Sequence, residues 1–212
     1  MTQSAQNALL KILEEPPEHA IFILTVSKRQ AILPTISSRC RVVSVPPVLV
    51  EDMEAIVRDT YNDISLEEVR LLARLSQGLP NKIDALRNKD YISTRALAIN
   101  TLKDLVSGDG MKTVYKLTNE TFAKGQRESA TEFLYTLSSF VSDSANLKIL
   151  GDASQAVNCD EISLIKGIAE AFPLKKLLNY VILLQDCIKK LQSNVNVPLL
   201  VQTALLAWWD EE

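Results

Sequence analysis

Hydrophobic residues recur along most of this chain at intervals of three and four, the spacing that gathers one face of a helix. Ala5, Ala8, Leu9, Ile12 and Leu13 form the first such stripe, with Thr2 placed to cap it and Pro16-Pro17 to end it. The period then changes. Ala20 to Val26 is a short unbroken apolar run that reads as a strand buried on both faces, as in a parallel α/β sheet. Arg41 to Val45 reads as a second strand, and Lys28 to Ser38 as a loop and a short helix. Pro46-Pro47 marks the first domain boundary.

From Glu51 the helical period returns and persists. Met53, Ile56, Val57 and Tyr61 share a face. Ser65 and Glu68 form a capping box ahead of the stripe Val69, Leu72, Ala73 and Ser76. Gly78-Leu79-Pro80 breaks the chain before a short helix over residues 81–87, which completes a unit of three small helices. About six amphipathic helices complete the chain. Their stripes are Ile92, Ile99, Leu102 and Val106; Met111, Val114, Tyr115, Thr118 and Phe122; and Ala130, Phe133, Leu134, Leu137, Phe140 and Val141. Asn158 to Glu161 is box-like and opens the helix of Ile162, Ile165, Ile168 and Ala169. Leu174, Leu178, Val181, Leu184, Ile188 and Leu191 line a long helix that Leu177, Ile182 and Leu183 make apolar over more than one face, which calls for burial beyond its own bundle. Pro198 fits the first turn of a last helix through Leu200, Ala204, Leu205 and Trp208.

Composition sharpens this picture. Of the 212 residues 47% are hydrophobic but only 6% aromatic, so the core is built from Leu, Ile, Val and Ala, and six glycines are too few for a turn-rich β-sandwich. The net charge of −3 and a pI near 5.4 argue against a free-standing nucleic-acid module and favour protein partners. Three scattered cysteines without CxxC spacing read as reduced thiols, with Cys159 and Cys187 as small buried side chains. No signal peptide opens the sequence and no apolar run spans a bilayer, so a soluble, cytoplasmic protein is expected. The lone His19 supports neither a metal site nor a histidine-based triad; Glu14-Glu15 and Glu67-Glu68 read as solvated or capping. Trp208 and Trp209 cannot share a helix face: either one is turned to solvent or a partner, or one is packed and the other lies in a frayed end.

The first forty residues carry the most specific pattern. Gln6-Asn7-Ala8-Leu9-Leu10-Lys11-Ile12-Leu13-Glu14-Glu15-Pro16-Pro17 resembles the NALLKxLEEPP segment of the bacterial DNA polymerase III clamp-loader family. Phe22-Ile23-Leu24, Ile32-Leu33-Pro34-Thr35-Ile36 and Ser38-Arg39-Cys40 continue the resemblance in the family's order and spacing. Asn194 to Leu200 resembles the entry to the family's last helix. The resemblance implies an AAA+ architecture, mainly α here. Residues 1–47 would be the C-terminal remnant of an α/β nucleotide domain, 48–88 a three-helix lid, and 89–212 an all-α collar that closes a ring of subunits. No GxxxxGK[ST] phosphate loop occurs and no glycine precedes Gly78, so the chain is expected to be truncated, to bind no ATP and to be no enzyme on its own.

What remains of the family's chemistry centres on Arg39. In the family this arginine, within Ser38-Arg39-Cys40, reaches the ATP and magnesium of the adjacent subunit, where a rigid guanidinium fork stabilises charge developing on phosphate. Read without the motif, Arg39 is a surface charge. Sensor 1 is degenerate: Thr25-Val26-Ser27 stands where the family has Ala-Thr-Thr, so Val26 lacks the middle threonine's hydroxyl and Ser27 is the candidate substitute. Lys82, after Gly78-Leu79-Pro80-Asn81, matches the sensor 2 arginine or is a solvated lysine. Degraded sensors beside an intact Ser38-Arg39-Cys40 favour the family branch that has lost productive ATP binding; a truncated gamma/tau ATPase and a pure helical scaffold are the rivals. Implied partners are the gamma/tau and delta subunits and, through the complex, the sliding clamp and primed DNA.

Overall fold

The structure, a computed structural model, describes residues 2–26 and 29–210. It divides into two compact units, Met1–Pro46 and Pro47–Glu212.

The first unit is built on two helices, α1 (Gln3–Glu14) and α2 (Pro34–Ser37), with a single 3-10 turn at Arg29–Ala31. Thr2 caps α1 as its position predicts, its hydroxyl accepting from the Ala5 amide at 3.3 Å. Gln6 ties the helices together. Its side chain accepts from the Leu33 amide (2.8 Å) and donates to the Ala31 carbonyl (3.2 Å), and it is buried with Ile36.

The two expected strands do not form among the described residues. Residues 21–26 and 41–45 are without regular structure, and Ile21, Ile23 and Val45 are 89%, 83% and 88% exposed. A strand completes its hydrogen bonds only on a neighbour, and no described residue forms a ladder with either segment. The apolar runs therefore have strand composition without a sheet.

The second unit holds two bundles. The small one is α3 (Val50–Thr60), α4 (Leu66–Leu75) and α5 (Ile83–Leu86), around Met53, Val57, Val69, Leu72, Ala73 and Ile83. Ser65 caps α4, accepting from the Glu68 amide at 3.1 Å. The large bundle comprises α6 (Lys89–Ser107), α7 (Gly110–Lys116), α8 (Arg127–Leu150), α9 (Ile162–Ala171), α10 (Leu174–Leu191) and α11 (Val197–Leu206). α8 is its axis. α6, α9 and α10 all pack on it, and Phe133, Leu134, Leu137, Phe140 and Val141 are fully buried.

Some expected stripes shift by a position. α6 buries Ala98, Thr101, Leu102 and Leu105, leaving Ile92 and Val106 exposed. Val114 of α7 and Leu117 just past it face inward while Met111 and Tyr115 face out, and a π turn, Leu117–Thr121, widens the spiral so that Phe122 joins them inside. In α10, Leu177 and Tyr180 belong to the core and Leu178 and Ile182 are exposed. Arg127, at the start of α8, donates to the carbonyls of Leu191, Ser193 and Val195, satisfying the frayed end of α10. Trp208 is buried edge-on against Phe172 and Tyr180, and Trp209 covers Gly110. No described helix is long and apolar enough to cross a membrane.

Candidate functional site

Arg39 lies just past the C-terminal end of α2. Pro34 starts that short helix with its fixed φ, and buried Ile36 anchors it. The Ser38 hydroxyl donates to the Thr35 carbonyl at 3.0 Å, and the Arg39 amide to the Ile36 carbonyl at 3.0 Å, so the turn is closed before the arginine side chain leaves it. The guanidinium then spans two helices. One nitrogen donates to the Thr35 carbonyl (2.9 Å), and another pairs with Glu14 Oε1 of α1 (2.7 Å). The Arg39 side chain is 40% exposed and that of Glu14 50%. Such a surface pair is worth at most about 1 kcal/mol. Glu14 thus orients the arginine through one oxygen without fixing it, while the second nitrogen is taken up by the Thr35 carbonyl. Sequence alone puts Glu14 among solvated carboxylates and misses this pairing; its place one helix turn after Leu10, at the end of α1, gives no sign of a partner.

The sensor 1 position is only partly visible. Val26 is half-exposed, and Ser27 lies outside the described residues. The segment expected to match sensor 2 belongs to the second unit. Gly78 adopts φ +75°, and its carbonyl accepts from the Val48 amide at 2.9 Å. A Cβ there would come within 2.6 Å of both Pro47 Cβ and the Val48 carbonyl, so only glycine fits. Lys82 ends the 3-10 turn Pro80–Lys82 and is exposed. It lines a cleft of about 470 Å³ with Tyr91, Glu132, Tyr135 and Asn158 of the large bundle. The protein around Glu132 pushes its carboxyl above the usual range, with the Lys82 charge offsetting part of that rise. The structure therefore gives Lys82 a carboxylate neighbour fifty positions along the chain, which sequence spacing could not reveal.

Other candidate chemistry is quiet. Burial pushes the Cys159 and Cys187 thiols up, away from the reactive thiolate. Among the described residues no three His, Cys, Asp or Glu side chains converge as metal ligands.

Two family models match the sequence. The one described as DNA polymerase III, delta subunit, covers residues 1–49, and the one described as DNA polymerase III, delta subunit, C terminal, covers residues 95–210. Arg39 lies in the first and the large bundle fills the second. The chain is 29% identical to DNA polymerase III subunit delta prime of Yersinia pestis, over 98% of its own length and 61% of the relative's. It is 27% identical to the Bacillus subtilis delta prime subunit over 97% and 62%, and 31% identical to that of Escherichia coli over 80% and 48%. It thus spans about three-fifths of the length of the first two relatives. Two matched segments that bracket the small bundle, and relatives aligned from end to end of the sequence, show that the chain belongs to the delta prime branch of the DNA polymerase III clamp-loader family.

Proposed function

We propose that this chain acts within a clamp loader as a subunit that hydrolyses no ATP itself but supports ATP-dependent loading of the sliding clamp onto primed DNA. In this reading the small bundle is the lid, and the large bundle is the collar that joins it to gamma/tau and delta subunits. Arg39 is presented to the ATP and magnesium held by its neighbour. One observation carries the proposal: a half-exposed guanidinium leaves a closed helical turn and is held only by the Thr35 carbonyl and one surface carboxylate, Glu14.

The test is a reconstituted loader containing this chain. Arg39→Ala should leave the complex assembled, by sizing chromatography, while clamp loading and DNA-stimulated ATP hydrolysis fall by roughly an order of magnitude or more. Arg39→Lys should restore little, because a point charge lacks the planar fork. Unchanged hydrolysis and loading in the Arg39→Ala complex would leave the chain as a scaffold only.

A further inference from the structure

The two bundles of the second unit share no apolar core. Their clusters are separate, the Lys82–Glu132 cleft lies between them, and the chain connects them only through Asn88, which caps α6 by accepting from the Asp90 amide. A body held at one point can rotate about it. A second attachment exists, and it is polar. Arg74 of α4 reaches across to donate to the Ala156 carbonyl at 2.6 Å.

Ala156 sits in the irregular segment between α8 and α9, which is held in turn by the large bundle. Asp143 of α8, almost fully buried, accepts from the amides of Val157 (3.0 Å) and Asn158 (2.9 Å) and from the Asn158 side chain (2.9 Å). Asn158 is wholly buried and also donates to Ser139 Oγ at 2.8 Å. From α6, Arg95 grips Asp160 with two bonds (2.8 and 2.7 Å) and touches Asn158 at 3.2 Å. Lys103, two turns further along α6, pairs with Glu161 at 3.0 Å. A loop without regular structure is thereby fixed at Val157, Asn158, Asp160 and Glu161, directly beside the one carbonyl that the small bundle seizes. The buried centre of this network, Asp143 with Asn158, is fully hydrogen-bonded and so favours one geometry, although Arg74 and Arg95 each keep a buried Nε without a partner.

We propose that residues 156–161 form a strut that fixes the angle of the small bundle on the large one, with Arg74 as the clasp and Asp143 and Asn158 as the residues that position it. Opening the clasp frees the small bundle to swing about Asn88 while both cores stay folded, a hinge motion of the ordinary kind. The inference concerns this chain alone, and its outcome is independent of the role proposed for Arg39.

The experiment measures distances by electron–electron double resonance between spin labels on unnatural ketone-bearing side chains at exposed Glu67 and Lys148, in the isolated 212-residue chain. The parent should give one narrow distance distribution. Arg74→Met should broaden it and add a longer-distance population, with helix content by circular dichroism unchanged. Asp143→Asn should broaden it too, although Arg74 is intact, because the carbonyl it holds is no longer positioned. A broad parent distribution, or a narrow one in either folded variant, overturns the proposal. Should Asp143→Asn fail to fold, Arg74→Met alone decides it.

Discussion

Residues 20–26 are more apolar than residues 133–141, yet the two lie in opposite surroundings. Phe133, Leu134, Leu137 and Phe140 are sealed inside the large bundle; Ile21 and Ile23 stand almost bare. Side-chain hydrophobicity does not explain this. The backbone does. A helix satisfies its own amides and carbonyls and can then be buried wherever its stripe finds a partner. An extended segment carries its polar groups outward and can be buried only after another strand has met them. Apolar sequence is thus a sufficient instruction for the second unit and an incomplete one for the first.

The sharpest way to break this comparison is to truncate one residue from each region. Phe133→Ala should cost about 3–5 kcal/mol by leaving a cavity in the α8 core, whereas Ile23→Ala should change stability by no more than about 0.5 kcal/mol. Urea melts monitored by circular dichroism measure both. Hydrogen exchange on the parent protein should agree, with amides of residues 3–46 less protected than those of 160–205. Equal costs, or equal protection, would mean that the first unit has a core of its own.

Gly78 offers a second test, since there an extended segment does find a partner. The Val48 amide meets the Gly78 carbonyl, and the small bundle closes around Met53 and Ile83 just beyond. Gly78→Ala combines a left-handed backbone with a collision against Pro47 and Val48, and should lower stability by about 1–3 kcal/mol. A melting temperature equal to the parent's would show that this junction yields freely.

The smallest expected effect concerns Glu132. Its carboxyl is raised above the ordinary 4.5, so the folded state holds the proton more tightly than the unfolded chain does. The stability that comes from this is present at low pH and is lost as pH rises through the folded value. Glu132→Gln should therefore be more stable than the parent at pH 7, by under about 1 kcal/mol because the site is open to solvent, and the gain should vanish near pH 4. A gain that persists at pH 4 would point to packing instead of charge.

Local signals in the sequence are reliable where they need only neighbours in the chain. Thr2 and Ser65 cap the helices they precede, Asn196 accepts from the Leu199 amide at the head of α11, and the α8 stripe is buried as written. The features that are not legible depend on distant partners. Asn158 looks like part of a cap for α9, yet it is the buried hub of a network reaching Asp143, Ser139 and Arg95. The π turn after Lys116 brings Phe122, five residues beyond Leu117, onto the buried side with it, a register an α-helical stripe would not give. At the candidate site, the motif singles out Arg39, but its partner Glu14 becomes visible only when α1 and α2 are set side by side.

The packing at the end of the chain has a practical consequence. Both tryptophans stand together, Trp208 among Phe172 and Tyr180, and Trp209 over Gly110. All of these residues belong to the large bundle. Intrinsic fluorescence is therefore a private channel to that bundle. Its emission will redden when α10 and α11 part, and residues 3–46 contribute no tryptophan to it. A titration read only by tryptophan would report a cooperative molecule, even if the first unit had already melted.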